Sequence, residues 1–277
     1  MNESHRENLT EGLLAPGEPA AFEIINAKGK GRVVLVCDHA SNQIPRRLGT
    51  LGLGADERAD HIAWDPGAAE VAQRLAVHLD APLVLSGYSR LVIDCNRPLD
   101  SPESIPVQST GVPVPGNLGL TPEDRDARIQ ALFWPYHRAI AALLDRRVHQ
   151  PTLLLSIHSF TPCLNGHQRP WPIGISYGRD ARLALRMRSE LARHGLLVGD
   201  NEPYALEDTH DYTIPIHGEG RGLLHALIEI RQNEIRIPAE TATWAARLAE
   251  AYWTSEANVL LNWHAHCEDE KNPRSLS

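Results

Sequence analysis

The chain has 277 residues, 42% hydrophobic and 22% charged, with a formal net charge of -8 at pH 7. That acidic balance argues against a general nucleic-acid or anionic-membrane surface, although a local arginine pocket can still hold a small anion. The longest apolar runs, "VVLVC" and "TLLLSI", fall far short of the ~20 residues a membrane span needs, and the polar start "MNESHRENLTEG" has no apolar signal core, so a cytoplasmic protein is expected.

In chain order, residues 1–22 read as a loose leader, 23–264 as one domain and 265–277 as a polar tail. "RVVLVCDHA" is a β-branched run, a buried strand that breaks at Asp38 and His39. "DPGAAEVAQRLAVHL" carries apolar residues at helical spacing, with Asp65 placed as N-cap and Pro66 at the first position. "APLVLSG" and "RLVIDCN" read as short strands. Residues 98–120, rich in Pro, Gly and Ser, form a long connection of the kind that often covers a site. "TPEDRDARIQALFWPYHRAIAALLDRRV" is a long helix capped by Thr121 and kinked near Pro135. "TLLLSIHSF" and "WPIGISYG" are strands, "DARLALRMRSELARHG" a helix closed by Gly195, "HALIEIRQ" a strand and "AETATWAARLAEAYW" the start of the last helix. Strands alternating with helices give an α/β sandwich with a mainly parallel sheet. The four cysteines (Cys37, Cys95, Cys163 and Cys267) are far apart with no CxxC pair, which suits reduced thiols better than a disulfide scaffold.

Several strands end in polar chemistry: Asp38 and His39; Asp94, Asn96 and Arg97; His158; Glu229 and Arg231. Ligands of open α/β sheets bind outside the carboxyl ends of strands, so these residues are expected to share one crevice. Each has a structural alternative, with Asp94 paired to Arg97 and Glu229 to Arg231. Two histidines and one carboxylate suffice for catalytic zinc, a further glutamate can take a proton from water, and Arg with Asn suits a carboxylate. No GxSxG elbow, Walker A loop or HExxH helix competes.

Taken in order, "VCDHASNQIP", "DHIAWDPGA", "SGYSRLVIDCNRP", "SIHSFTP", "GDNEPY" and "IEIRQNEI" resemble the N-formylglutamate amidohydrolase family. The resemblance implies a three-layer α/β/α sandwich around a mixed, mainly parallel sheet, like that of the zinc exopeptidases. It implies a zinc enzyme of histidine breakdown acting on a small anionic N-acyl amino acid, N-formyl-L-glutamate first. "IHSF" is similar to the second zinc histidine of that larger group, "CNRP" to its substrate-binding Asn-Arg pair and "IEIR" to its catalytic Glu. One position departs. The group's glutamate three residues after the first histidine is Asn42 here, so another carboxylate must complete the metal set. Asp65 is the choice, its N-cap role being the structural alternative; Asp38, Asp60 and the nitrogen of His61 stay open. The implied site is then His39, Asp65 and His158 on zinc, Glu229 as general base and Arg90 on the oxyanion. Asn96, Arg97, Arg231, Tyr204 and Tyr212 bind substrate, with His217 and Arg221 in loops nearby. A deacylase or peptidase for another acyl amino acid, or a non-catalytic binding member of the fold, are the alternatives.

Overall fold

A buried parallel strand shows as an unbroken apolar run, because both faces are covered, and the central strands follow that rule. The computed structural model describes residues 12–271, with side chains to residue 257. Its main sheet comprises β1 Phe22–Ile25, β2 Val33–Cys37, β3 Leu83–Ser86, β4 Leu153–Phe160, β5 Ile173–Ser176, β6 Val198–Asp200 and β7 Leu224–Arg231, in the order β1-β3-β2-β4-β7-β5-β6. β3, β2, β4 and β7 run parallel, as do β5 and β6. β1 joins β3 and β5 joins β7 antiparallel, so the sheet is mixed and mainly parallel.

Alternate residues of one strand feed opposite layers. After the short helix α1 (Ala55–Ala59) come the longer ones: Val33, Leu35 and Cys37 of β2 pack with α2 (Ala68–His78), α5 (Arg182–Arg193) and α6 (Pro238–Lys271). Val34 and Val36 face α4 (Trp134–Asp145) through Tyr136, Ile140 and Leu144. Each such Val or Leu contributes ~1.5–3 kcal/mol on full burial. The result is the three-layer α/β/α sandwich. No helix among the described residues is long and apolar enough to cross a membrane.

The long helix begins as expected, with Thr121 and Asp124 bonding each other's backbone N–H at the start of α3 (Pro122–Arg128). It then widens into a π-turn over Ile129–Phe133 before α4. Pro135 lacks the N–H that would continue an ordinary α ladder there.

Three expectations change. "RLVIDCN" is no strand: Val92 N–H donates to Ser89 O and Asp94 N–H to Ser104 O, so its backbone bonds to turns and to the 98–120 connection. Leu91, Val92 and Ile93 are buried beneath that connection with Ile105, Val114 and Phe133, and an unbroken apolar run does not distinguish such a packed turn from a strand. The leader is packed from Leu13, which is buried in the same cluster, and Tyr88 Oη donates to Pro19 O at 2.7 Å; residues 1–11 lie outside the described part. The last helix continues through the start of the supposed tail to Lys271, carried by good helix formers.

Candidate metal centre and cleft

Three adjacent parallel strands deliver the centre. His39 lies two residues beyond β2, His158 on β4, and Glu229 on β7 in direct register with His158. Asp65 arrives from the segment leading into α2. That helix starts at Ala68, behind Gly67 in the left-handed conformation (φ 81°). A Cβ at Gly67 would also meet Ile235 O at 2.6 Å, so glycine is required twice over. Asp65 is therefore not the helix cap; its carboxylate turns inward.

Oδ2 of Asp65 lies 2.9 Å from Nδ1 of His158 and 3.3 Å from Nδ1 of His39. The three residues are buried, and each offers one ligand atom within 4.8 Å of the others. The outer edge of each imidazole meets another buried carboxylate. Nε2 of His39 is 2.7 Å from Asp94 Oδ1, and Nε2 of His158 is 3.0 Å from Asp38 Oδ2. A carboxylate can only accept, so Nε2 of each ring carries a proton toward Asp94 or Asp38, and Nδ1 carries one toward Asp65 unless a metal takes that proton's place and its lone pair. Two Nδ1 atoms converging on one carboxylate oxygen require positive charge between them, protons or a metal. The donor set fits a divalent metal of the zinc kind.

The outer carboxylates are themselves held. Asp38 accepts from Tyr136 Oη, Thr213 Oγ1 and Ser156 Oγ at 2.6–3.0 Å. Asp94 accepts from Arg90 Nη2 at 2.7 Å and Asn96 N–H at 2.8 Å. Burial alone would raise both carboxyls, but His158 beside Asp38, and Arg90 with His39 beside Asp94, hold them below the usual range. Burial would likewise lower His158, yet its bonds to Asp38 and Asp65 raise it well above an ordinary imidazole.

Glu229 is different. It is 7% exposed, its Oε2 has no hydrogen-bond partner among the described residues, and burial pushes its pKa up to about 7. The alternative pairing with Arg231 does not form. Arg231 donates to Asn233, to the carbonyls of Arg169 and Pro170, and to Glu234.

A cleft of about 440 Å³ opens over these groups, lined by His39, Asp65, His158, Glu229, Arg90, Asn96, Arg97 and Tyr204 among others. Arg231 and Tyr212, expected to bind substrate, are not in its wall. Arg231 is consumed by the framework bonds above, and Tyr212 is wedged against Phe133 and His137 with ring centroids 4.9 and 4.6 Å away. Asn96 borders the cleft, but its side chain is committed: Oδ1 accepts from Tyr212 and Thr213 N–H, and Nδ2 donates to Asp211. Arg97 pairs with Glu103 at 3.2 Å and Asp211 at 3.4 Å, while Arg90 takes the role beside Asp94 that the sequence suggested for Arg97.

The remaining ligand candidates fall outside the triad. Asp60 is half exposed and holds Nδ1 of His61, a cleft residue whose buried Nε2 has no partner among the described residues. Asn42 bonds Arg58 O. His217 stacks on His137 behind the sheet, and Arg221 pairs with Asp145. Sequence reasoning put Asp38 and Asp94 in the crevice but missed that each pairs with the outer nitrogen of a histidine.

A family model described as N-formylglutamate amidohydrolase matches residues 31–236. The crystal structure of a gene product from Agrobacterium tumefaciens is 40% identical, with a TM-score of 0.87 over 89% of this chain and 99% of that one. The N-formylglutamate amidohydrolase from Ralstonia eutropha shares the fold at 17% identity, with a TM-score of 0.62 over 86% of this chain and 98% of that one. No curated protein matches. With its family match spanning the strands that carry His39, His158 and Glu229, the chain belongs to the N-formylglutamate amidohydrolase family, hydrolases that act on amide bonds.

Proposed function

We propose that this protein is a zinc-dependent amidohydrolase that cleaves N-formyl-L-glutamate to L-glutamate and formate. The observation that carries the reading is the buried His39–Asp65–His158 triad beside Glu229, a buried carboxyl whose Oε2 has no hydrogen-bond partner among the described residues. His39 and His158 through Nδ1, with Asp65 through a carboxylate oxygen, would hold the metal. Zinc would supply there an acidified water and a Lewis acid for the scissile carbonyl.

The chain's own residues do the rest. Asp94 and Asp38 fix the tautomer and tilt of the two imidazoles. Glu229, poised near neutrality, accepts the proton of the attacking water and returns it to the leaving amine nitrogen, which departs as the amino group of glutamate. Arg90 lies 2.7 Å from Asp94 and 3.7 Å from Asp65, its side chain a quarter exposed, and stabilises the oxygen that gains charge at the formyl carbon. Arg97, in the cleft wall, takes the α-carboxylate through Nη2, its Nε and Nη1 being held by Glu103, Asp211 and the Asn96 carbonyl. The three described cysteines are unpaired, which fits a reducing cytoplasm.

Protein purified without chelator should contain about one zinc per chain, release formate from N-formyl-L-glutamate, lose activity on chelation and regain it with added zinc. His158→Ala should not retain the metal. An active, folded protein that carries no metal would sink the reading, and so would a zinc-loaded protein inert toward every N-acyl amino acid.

A further inference from the structure

An arginine without a carboxylate partner stands behind the cleft wall. Arg90, Arg97 and Arg231 each meet a carboxylate. Arg169 does not meet one among the described residues; its guanidinium donates to Tyr204 Oη at 2.8 Å and to Thr161 O at 3.4 Å. The same group lies 4.8 Å from the ring centroid of Tyr204 and 5.6 Å from that of Phe160. Phe160, Thr161 and Tyr204 all line the cleft. A guanidinium resting on two aromatic rings and bonded to neutral oxygens retains an uncompensated charge beside a site that receives anions.

Arg169 is also fixed at its root. It follows the hairpin of Cys163–Leu164 and His167–Gln168, and its N–H donates to Pro162 O at 2.9 Å. Its carbonyl accepts from Arg231 Nη1 at 2.9 Å, and Arg231 is anchored in turn by Glu234 at 2.8 Å. Arg231 is thus a positioning residue for Arg169. A pre-placed cation loses little freedom on meeting an anion, which is where affinity is gained.

We infer that Arg169 is a second carboxylate anchor, which receives the side-chain carboxylate of an N-acyl dicarboxylic amino acid while Arg97 holds the α-carboxylate. The inference rests on the amidohydrolase reading and adds a specificity residue to it. It explains how the cleft can select a dicarboxylic substrate when Arg90 and Arg97 already carry acidic partners.

The test compares wild type with Arg169→Met and Arg169→Lys on N-formyl-L-glutamate and N-formyl-L-glutamine, the latter lacking only the side-chain charge. Wild type should prefer the glutamate substrate, and Arg169→Met should cut that kcat/KM ratio roughly 10- to 100-fold, the scale of a charge-assisted hydrogen bond, mainly through KM. Arg169→Lys should fall between. Calorimetric binding of L-glutamate and L-glutamine gives a readout that needs no turnover. If wild type hydrolyses neither substrate, the amidohydrolase reading fails; a binding preference for L-glutamate that vanishes in Arg169→Met still upholds the anchor. Equal losses on both substrates, an unchanged ratio, or no wild-type preference in both turnover and binding overturns it. Should Arg169→Met not fold, the ratio in Arg169→Lys decides.

Discussion

His158 and Asp38 meet at 3.0 Å through Nε2, the edge of the imidazole turned away from Asp65. Asp38 reaches that position because it directly follows β2 beside β4, and Tyr136 and Thr213 hold its other oxygen. Replacing Asp38 by Asn removes the charge that fixes the His158 tautomer. Zinc affinity should fall about 10- to 100-fold, as for other outer partners of metal-bound histidine. A chelator competition assay reads this directly. The thermal stabilisation conferred by added zinc should shrink with it. Unchanged affinity in folded Asp38→Asn would reduce Asp38 to a packing role.

Glu229 allows an activity test and a stability test. Glu229→Gln should keep the fold and the metal while losing on the order of 10²–10⁴ in kcat. Because the wild-type carboxyl titrates near 7, wild-type kcat/KM should fall below about pH 7 as Glu229 takes up its proton. For stability, burial raises the folded pKa to about 7 from an ordinary 4.5. The favourable contribution of protonated Glu229 is therefore complete below 4.5 and lost as pH rises toward 7. In metal-free protein, the melting temperature of Glu229→Gln relative to wild type should climb across that window. A flat difference would show that Glu229 carries no buried-charge penalty.

How far the sequence reached depends on what each residue's neighbours reveal. β2, β4 and β7 were legible because strands covered on both faces must be apolar throughout, and a polar residue at their ends then stands out. His39, His158 and Glu229 were found that way. Asp65 was harder, since "DPG" before an amphipathic run is also what a capped helix looks like; the left-handed Gly67 and its contact with Ile235 decide the matter only in three dimensions. Arg231 and Arg169 show the limit. They are 62 positions apart, joined by one bond from guanidinium to carbonyl, and no local pattern around "HQRPW" announces a cation behind the cleft wall.

Asn96 looked like a substrate ligand and instead ties the cleft's floor to residues 211–213. Its amide makes three bonds, two of them from backbone N–H groups. Asn96→Ala leaves those buried groups without partners, at about 1–3 kcal/mol for such a loss. The melting temperature should drop in both metal-free and zinc-loaded protein, since neither half of the damage lies at the metal. Asn96→Asp, which keeps the acceptor for Tyr212 and Thr213 but sets a charge against Asp211, should fall between wild type and alanine. Normal stability in Asn96→Ala would return Asn96 to the substrate.

The cleft wall at Pro203 and Tyr204 depends on one hydrogen atom at Gly174. Gly174 lies on β5 in direct register with Glu229, and the chain after β6 crosses over it. A Cβ there would come within 1.7 Å of Glu202 O and 3.3 Å of Pro203, contacts that no rotamer change relieves because the first is backbone. The crossing segment leads directly into Tyr204, whose carbonyl accepts from Ser176 Oγ at 2.6 Å and whose side chain lines the cleft. Gly174→Ala must therefore push residues 202–204 outward or bend β5 away from Glu229. Overpacking of this kind costs typically ~1–3 kcal/mol. The expected outcome is a lower melting temperature with zinc content preserved, because His39, Asp65 and His158 lie on other elements. KM for N-formyl-L-glutamate should rise as Tyr204 and the Arg169 it holds move together. Wild-type stability and KM in Gly174→Ala would mean that the segment yields without strain, and that the cleft wall is not set by this crossing.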